Sequence, residues 1–442
     1  MRLEIGNFHV KDAVFGDVTK FENGVLTINK TEAIEFIKED EHFTDVDLVI
    51  AKPGDEIRIC PVKEAIEPRT RVGTDASVFP GITGDVAPVG NGTTHALKGC
   101  SVLAVGMNYG SFGDGLIDMS GEGAKYTLFS ETINICLVGD TDEEFERHEQ
   151  QKKNRALRWG AHRLAEYLGA SVKDLSPESK DVFELPPVTK RTAEVSSLPS
   201  VVYVMQPQSQ MEEMGYNDMV YGWDMNHVVP TFMHPNEILD GAMISGSFMP
   251  CSSKWSTYDF MNNPTIKELY AEHGKTVNFL GVIMSNLNVS LEQKERSALF
   301  VAQMAKSLGA DGAILAEEGY GNPDADFIAC FVALEDAGVK TVGMTNECTG
   351  RDGQSQPLVT LDEKANAIVS CGNVSELIKL PAMKTVVGNL EALAKHGLSG
   401  GWAGDEVLGS SVKEDGSIIM ENNSMFCGDR VSGWSTKQMK EF

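Results

Sequence analysis

The sequence predicts an α/β protein: a β-rich N-terminal domain followed by a doubly wound parallel-sheet α/β domain. Three observations predict it. Over 1–140, short alternating or apolar runs recur between Gly- and Pro-containing clusters, the punctuation of a sandwich or barrel-like sheet. From about residue 199, apolar strands alternate with helical stretches, as parallel strands with crossovers require. Two polar loops, Glu317–Asp326 and Gly350–Gln356, each follow a short apolar run, and in open α/β sheets such loops at the carboxyl ends of strands form the ligand crevice.

In chain order, 1–140 offers strands at Gly24–Ile28, Val46–Ile50, Glu56–Pro61, Ser101–Val105 and Thr132–Val138, with turns at Lys52–Asp55, Phe79–Gly81 and Val89–Gly92. A helix over Thr31–Glu39 opens on an N-capping Thr31. The stretch 141–198 reads as a charged helix and a linker. The helix runs from about Asp142 to Gly169 with Ala156, Trp159, Leu164 and Leu168 as its apolar stripe, and 170–198, with Pro177, Pro186 and Pro187, is the polar linker. The α/β substrate-binding domain, 199–400, has strands at Val201–Met205, Ala242–Ile244, Val277–Met284, Ala313–Ala316, Thr341–Met344 and Ala367–Ser370. Its helices at Leu291–Leu308 and Asp324–Ala337 end at Gly309 and Gly338, the residue type that accepts the left-handed cap. The last segment, 401–442, is rich in Gly, Ser and Asn and reads as an irregular C-terminal tail.

With 442 residues, two or three domains are expected. Hydrophobic content of 42% and charged content of 23% are those of a globular chain. A net charge of -26 argues against nucleic acid and against anionic membrane surfaces. The charged amino terminus reads as no signal peptide, and no apolar run has the length of a membrane span. No two of the eight cysteines lie within three residues of each other, so CxxC motifs are absent, and a cytoplasmic protein with small buried thiols is expected.

Glu317, Glu318, Asp324 and Asp326 in one loop, with Arg351 and Asp352 in the next, suit a small charged or zwitterionic ligand. Turn geometry alone equally explains Gly319, Gly321 and Pro323, and Asp324 and Asp326 also fit the cap and first turn of a helix. A third segment, Gly241–Tyr258, leaves an apolar strand and becomes dense in hydroxyls, a thiol, an amine and two aromatics. His227 and His234, with Asp224, stand at a spacing that fits no standard ligand pattern, and no metal is expected. Gly319-Tyr320-Gly321 lacks the third glycine of a dinucleotide loop.

At these segments the chain resembles the component B proprotein (alpha/beta subunit precursor) of the glycine/sarcosine/betaine reductase complex. Met1–Gly6, Pro61–Lys63, Ile66–Arg69, Phe79–Gly81, Thr94–Gly99 and Ile117–Gly121 carry the resemblance in the first half. Asn262–Pro264, His273–Lys275, Glu318–Asp324 and Gly350–Gln356 carry it in the second. The resemblance implies an oxidoreductase subunit in amino acid fermentation of the Stickland type. It would bind and activate glycine, sarcosine or betaine for reductive C–N cleavage. Its partners would be a selenoprotein-type subunit of component B and selenoprotein A, which receives the two-carbon unit. Acetyl phosphate would be the product and thioredoxin the reductant. A scaffold paralogue without autoprocessing is the alternative.

The resemblance further implies cleavage before a cysteine and a pyruvoyl cofactor on the second chain, which acts as an electron sink. The family pattern places Asn-Cys where this chain has Ser247-Phe248, so the pyruvoyl group stays an open question here. The nearest thiol, Cys251, reads in three ways: a shifted processing residue with Ser252 as alternate, a site thiol, or a packed core cysteine. Betaine cannot form a carbonyl adduct, and a subunit for it needs aromatic faces around the trimethylammonium and a cation for the carboxylate. Tyr221, Trp223, Trp255, Tyr258 and Tyr320 are the candidate faces. Arg351 is the candidate cation, and Glu318, Asn322, Asp324 and Asp352 are the polar lining.

Overall fold

A computed structural model describes residues 1–107, 113–141, 150–212, 216–246, 248–391 and 411–427. The chain is mixed α/β. Its largest parallel element is a six-stranded sheet ordered Thr231–Met233, Asn278–Met284, Ser200–Gln206, Gly312–Glu317, Lys340–Glu347 and Ile368–Asn373. Only the edge strand Thr231–Met233 runs antiparallel to its neighbour. Asn278–Met284 is buried at every position, as the strand pattern of a sheet covered on both faces requires.

Alternation along these strands divides two cores. Val202, Val204, Leu280, Ile283 and Leu315 face the helices Leu291–Leu308 and Asn322–Asp336 through Val301, Ala305, Phe327 and Phe331. Tyr203, Met205, Val282, Met284 and Ala316 face the other way, against Trp255, Phe260 and Ile266 and the amino-terminal residues Leu3, Ile5 and Ala96. After Ser200–Gln206 the chain builds Asn278–Met284 on one side, then crosses over to Gly312–Glu317 on the other. The carboxyl ends of Ser200–Gln206 and Gly312–Glu317 are therefore the topological switch point, where an open sheet leaves its crevice.

Besides a small sheet of Asp12–Phe15, Val25–Ile28 and Lys20–Glu22, the amino-terminal half holds two further large sheets. One is ordered Ser179–Glu184, Arg2–His9, Gly92–Lys98 and Arg69–Val72. The other is ordered Gly115–Asp118, Ile57–Ile66, Cys100–Gly106, Ile133–Thr141 and Phe43–Ala51, with Thr385–Gly388 added alongside Ile57–Ile66. The helix Gln150–Gly169 lays Leu157, Ala161, Leu164, Ala165 and Leu168 on this second sheet, a stripe at helical spacing. It ends on Gly169 where a Cβ would stand 2.2 Å from the Arg69 carbonyl oxygen, so only glycine fits that approach.

Several expectations change. The first helix spans Lys30–Lys38 and is capped by Asn29, whose side chain accepts from Glu32 N, two residues earlier than Thr31. The polar stretch 170–198 is not a plain linker: Ser179–Glu184 pairs with Arg2–His9, because an extended polar strand can occupy an exposed sheet edge. Met243–Ile244 joins Met219–Val220 in a small antiparallel sheet instead of entering the parallel one. Residues 142–149, the expected start of the charged helix, and 401–410 and 428–442 lie outside the described residues. Within the expected tail, Ile418–Glu421 pairs with Leu377–Leu380, and Met420, Met425 and Phe426 are buried. No described helix is long and apolar enough to cross a membrane.

Candidate functional site

Glu317 and Glu318 end the strand at the switch point, and alternation sends their side chains to opposite faces. Glu318 N donates to the Gln206 carbonyl at 3.1 Å, which ties the two central strands together at their carboxyl ends. The Glu318 carboxylate accepts from Gln208 N at 2.8 Å and from Trp255 N at 2.5 Å. Asp218 lies against it and accepts from Gly246 N at 2.5 Å. Both acids are buried: burial and then repulsion from Glu318 push Asp218 well above the ordinary range, and burial raises Glu318. Two such groups in contact titrate as a pair, and each opposes the ionisation of the other.

Around the pair stands a desolvated set of charges. The buried Lys254 ammonium donates to the Gly246 and Lys63 carbonyls, each at 3.1 Å, and lies 5.5 Å from the Phe426 ring centroid. Lys63 pairs with Asp114 at 2.6 Å. Arg158 donates to the Ser245 carbonyl at 2.7 Å, and Ser245 N donates to the Thr257 hydroxyl oxygen at 3.0 Å. That hydroxyl donates to Glu64 at 3.0 Å and lies 3.1 Å from His162 Nε2. Burial lifts Glu64 to about 7 and lowers His162 to about 3. The N–H and C=O groups of Ser245 and Gly246 are thus all held, so these two residues enter the site in a fixed conformation. Ser247 lies outside the described residues.

Of the sequence-predicted residues, the structure brings Glu318, Trp255, Ser252 and Cys251 to this region. Gly319 N donates to the Ser253 carbonyl at 3.1 Å, which seats the 251–255 turn against the switch-point loop. Tyr258 packs its ring edge-on to Phe129 at 5.4 Å, within the core beneath. Tyr320 is buried beside the loop. The remaining candidates stand elsewhere. Trp223 is 61% exposed on a surface hairpin against His227, and Tyr221 sends its hydroxyl to Glu237 at 2.6 Å. Asn322 accepts from Lys294 at 2.8 Å, and Asp324 accepts from Gly321 N at 2.8 Å and Val359 N at 2.6 Å. Arg351 pairs with Glu421 at 2.6 Å, and Asp352 caps its own loop through Gln354 N at 3.1 Å.

The acidic loop is therefore divided. Glu318 faces Gln208, Trp255 and Asp218, whereas Glu317, Asp324 and Asp326 lie toward the two helices. Glu317 accepts from the Thr345 hydroxyl at 2.8 Å and Asp326 pairs with Lys294. Sequence reasoning missed Asp218, Gln208, Asn346, Glu64, Arg158 and His162. Gln208 and Asp218 follow the first strand of the sheet, and examining the loop after that strand, the other half of the switch point, is the signal that finds them.

Buried charged groups gathered at the carboxyl ends of parallel strands stand where an open α/β sheet places its small-molecule site. The chain belongs to the family of glycine/sarcosine/betaine reductase component B subunits, whose model matches residues 1–440, and it is accordingly a subunit of a multi-component reductase complex. It is 72% identical over 443 residues to the betaine reductase complex component B subunit alpha of Peptoclostridium acidaminophilum, covering 100% of both chains. It is 42% identical to the glycine reductase complex component B subunits alpha and beta of the same organism, over 95% of both, and 40% identical to its sarcosine reductase complex component B subunit alpha, over 98% of both. A D-proline reductase proprotein of Acetoanaerobium sticklandii is 19% identical over 78% of this chain. No solved structure matches.

The geometry at Cys251 and Ser252 does not fit formation of a pyruvoyl group there. Such processing needs the side chain to attack the preceding carbonyl. Cys251 Sγ instead donates to the Asn423 carbonyl at 2.9 Å, and burial raises the thiol and keeps it protonated. The Pro250 carbonyl accepts from Ser253 N at 3.0 Å, and the Cys251 carbonyl accepts from Cys427 N at 2.6 Å. Both bonds hold the turn as a packed unit.

Proposed function

We propose that this chain binds and activates an N-methylated glycine, betaine before sarcosine or glycine, for reductive cleavage of its C–N bond. One observation carries the reading: 72% identity along the whole length to a betaine reductase component B subunit alpha, against 42% and 40% for the glycine and sarcosine counterparts. The glycine relative's name gives two subunits for one sequence, and the betaine relative's name gives subunit alpha alone. That difference supports an uncleaved chain here, in keeping with the packed turn at Cys251. The chain's own contribution is to take the substrate out of water and orient it, and the electron-transfer chemistry belongs to a selenoprotein-type partner in component B. Selenoprotein A then takes the two-carbon unit, acetyl phosphate is the product and thioredoxin restores the reduced state.

Reconstitution with the partner subunit and component A tests this. Trimethylamine release from betaine is expected to exceed amine release from sarcosine or glycine at least about tenfold in kcat/KM, the discrimination that pocket contacts of this kind supply. Equal rates, or preference for glycine, would overturn the substrate. Binding of betaine without turnover in the same mixture would mark a non-catalytic relative.

A further inference from the structure

Five of the buried polar atoms without a partner belong to residues on the loops and strand ends around Glu318. Among the described residues, Trp255 Nε1, Gln208 Nε2, Asn346 Nδ2 and Oδ1, and Ser252 Oγ are all buried and receive or donate no hydrogen bond within the chain. Native interiors rarely leave such groups unmatched, and a cluster of them calls for a ligand. They surround the carboxyl pair. Trp255 and Gln208 grip Glu318 through their backbone N–H groups. Ala316 pairs with Met344, so two residues further on Glu318 and Asn346 leave neighbouring strands at the same level and on the same face. The 251–255 turn completes the wall through its bond to Gly319.

We infer that these residues form the binding site of a small zwitterion: Trp255 Nε1, Gln208 Nε2 and Asn346 Nδ2 receive its carboxylate, and the Asp218–Glu318 pair receives its cationic nitrogen. The assignment rests on the functional reading above and names the residues for it. Three unpaired N–H donors match a carboxylate, and a buried pair of adjacent carboxyl groups matches a cationic nitrogen. The surroundings agree. Lys63 pairs with Asp114, and Arg158 and Lys254 lie with Glu64 and the carboxyl pair, so buried cations and buried acids stand side by side, surroundings that suit a ligand carrying both charges. Recognition of the carboxylate by neutral donors also explains why Arg351 can be committed to Glu421.

Calorimetry on the full chain tests the site with betaine and with 3,3-dimethylbutyrate, its isostere with carbon in place of the charged nitrogen. Asn346→Leu removes a donor to a charged group and is expected to weaken both ligands at least about tenfold. Because the Asn346 side chain makes no hydrogen bond within the chain, the ligand-free melting temperature of the variant should hold or rise. Asp218→Asn is expected to weaken betaine by a similar factor and to leave 3,3-dimethylbutyrate within about twofold. The inference falls if betaine does not bind the wild type, or if both variants bind it within about twofold of wild type. Trimethylamine release by the complex with unaffected variants would sink the site and leave the function standing. Variant-sensitive binding without any trimethylamine release would leave the site standing and sink the function.

Discussion

Glu317 and Glu318 are chemically identical neighbours, yet one turns to the helices and one to the candidate site, and everything around them follows from that alternation. Glu64 shows how far burial alone can move such a group. Its carboxyl is lifted to about 7 against an ordinary value of 4.5, chiefly by loss of solvent. Between those two values the folded chain holds a proton that the unfolded chain has released. The stabilisation from Glu64 is thus complete below pH 4.5 and lost as pH rises through about 7. Glu64→Gln, which imitates the protonated form, should remove this dependence. Urea unfolding at both ends of the window should show wild type losing about 3 kcal/mol relative to the variant, and parallel pH profiles would refute it. At this scale the sequence exposed half of the site. Glu318, Trp255 and Ser252 stood in loops dense with polar side chains. Asp218 and Asn346 sit in ordinary-looking surroundings and acquire meaning only from strands that pairing brings beside them.

Elements were legible where their signals are local. The helix Leu291–Leu308 ends at Gly309 as its pattern predicts, with φ of 75° and Ala310 N bonded back to the Ala305 carbonyl at 3.0 Å. No atom lies within 4 Å of a Cβ built on Gly309, so alanine fits by volume, and the left-handed backbone is the whole cost. Gly309→Ala should lower unfolding free energy by about 1–2 kcal/mol with the site's ligand affinity unchanged. A neutral result in urea unfolding would show that the cap relaxes. The strands of the parallel sheet were equally plain, because continuous apolar runs between polar loops read the same in sequence and in space. Ser179–Glu184 was not, since a strand with five exposed positions has no apolar pattern to announce it. Met243–Ile244 was misplaced for the opposite reason: a short apolar run fits any buried strand, and only its partner Met219–Val220 tells which sheet it joins.

On the scale of the molecule, the amino-terminal half is closed by residues from the far end of the chain. Thr385–Gly388 pairs with Ile57–Ile66, and no local pattern can announce a partner more than 300 residues away. The segment 411–427 goes further, because it reaches the site. Asn423 receives the Cys251 thiol at 2.9 Å, Cys427 N holds the Cys251 carbonyl at 2.6 Å, and Glu421 holds Arg351. Phe426 lies beneath Lys254 and accepts the Thr127 hydroxyl at 2.9 Å through its carbonyl. Ile418, Met420, Met425 and Phe426 are each buried completely. At about 1.5–3 kcal/mol for each such side chain, their removal takes away about 6–12 kcal/mol, which rivals the 5–15 kcal/mol or so that holds an ordinary domain together. A chain stopped after residue 410 is therefore expected to lose cooperative melting altogether. Phe426→Ala should give a graded version, about 3–5 kcal/mol less stable by urea unfolding, with weakened betaine binding because Lys254 loses the ring under it. If the shortened chain melted like the full one, the carboxyl-terminal segment would be an appendage, and the site would owe its shape to the two sheets alone.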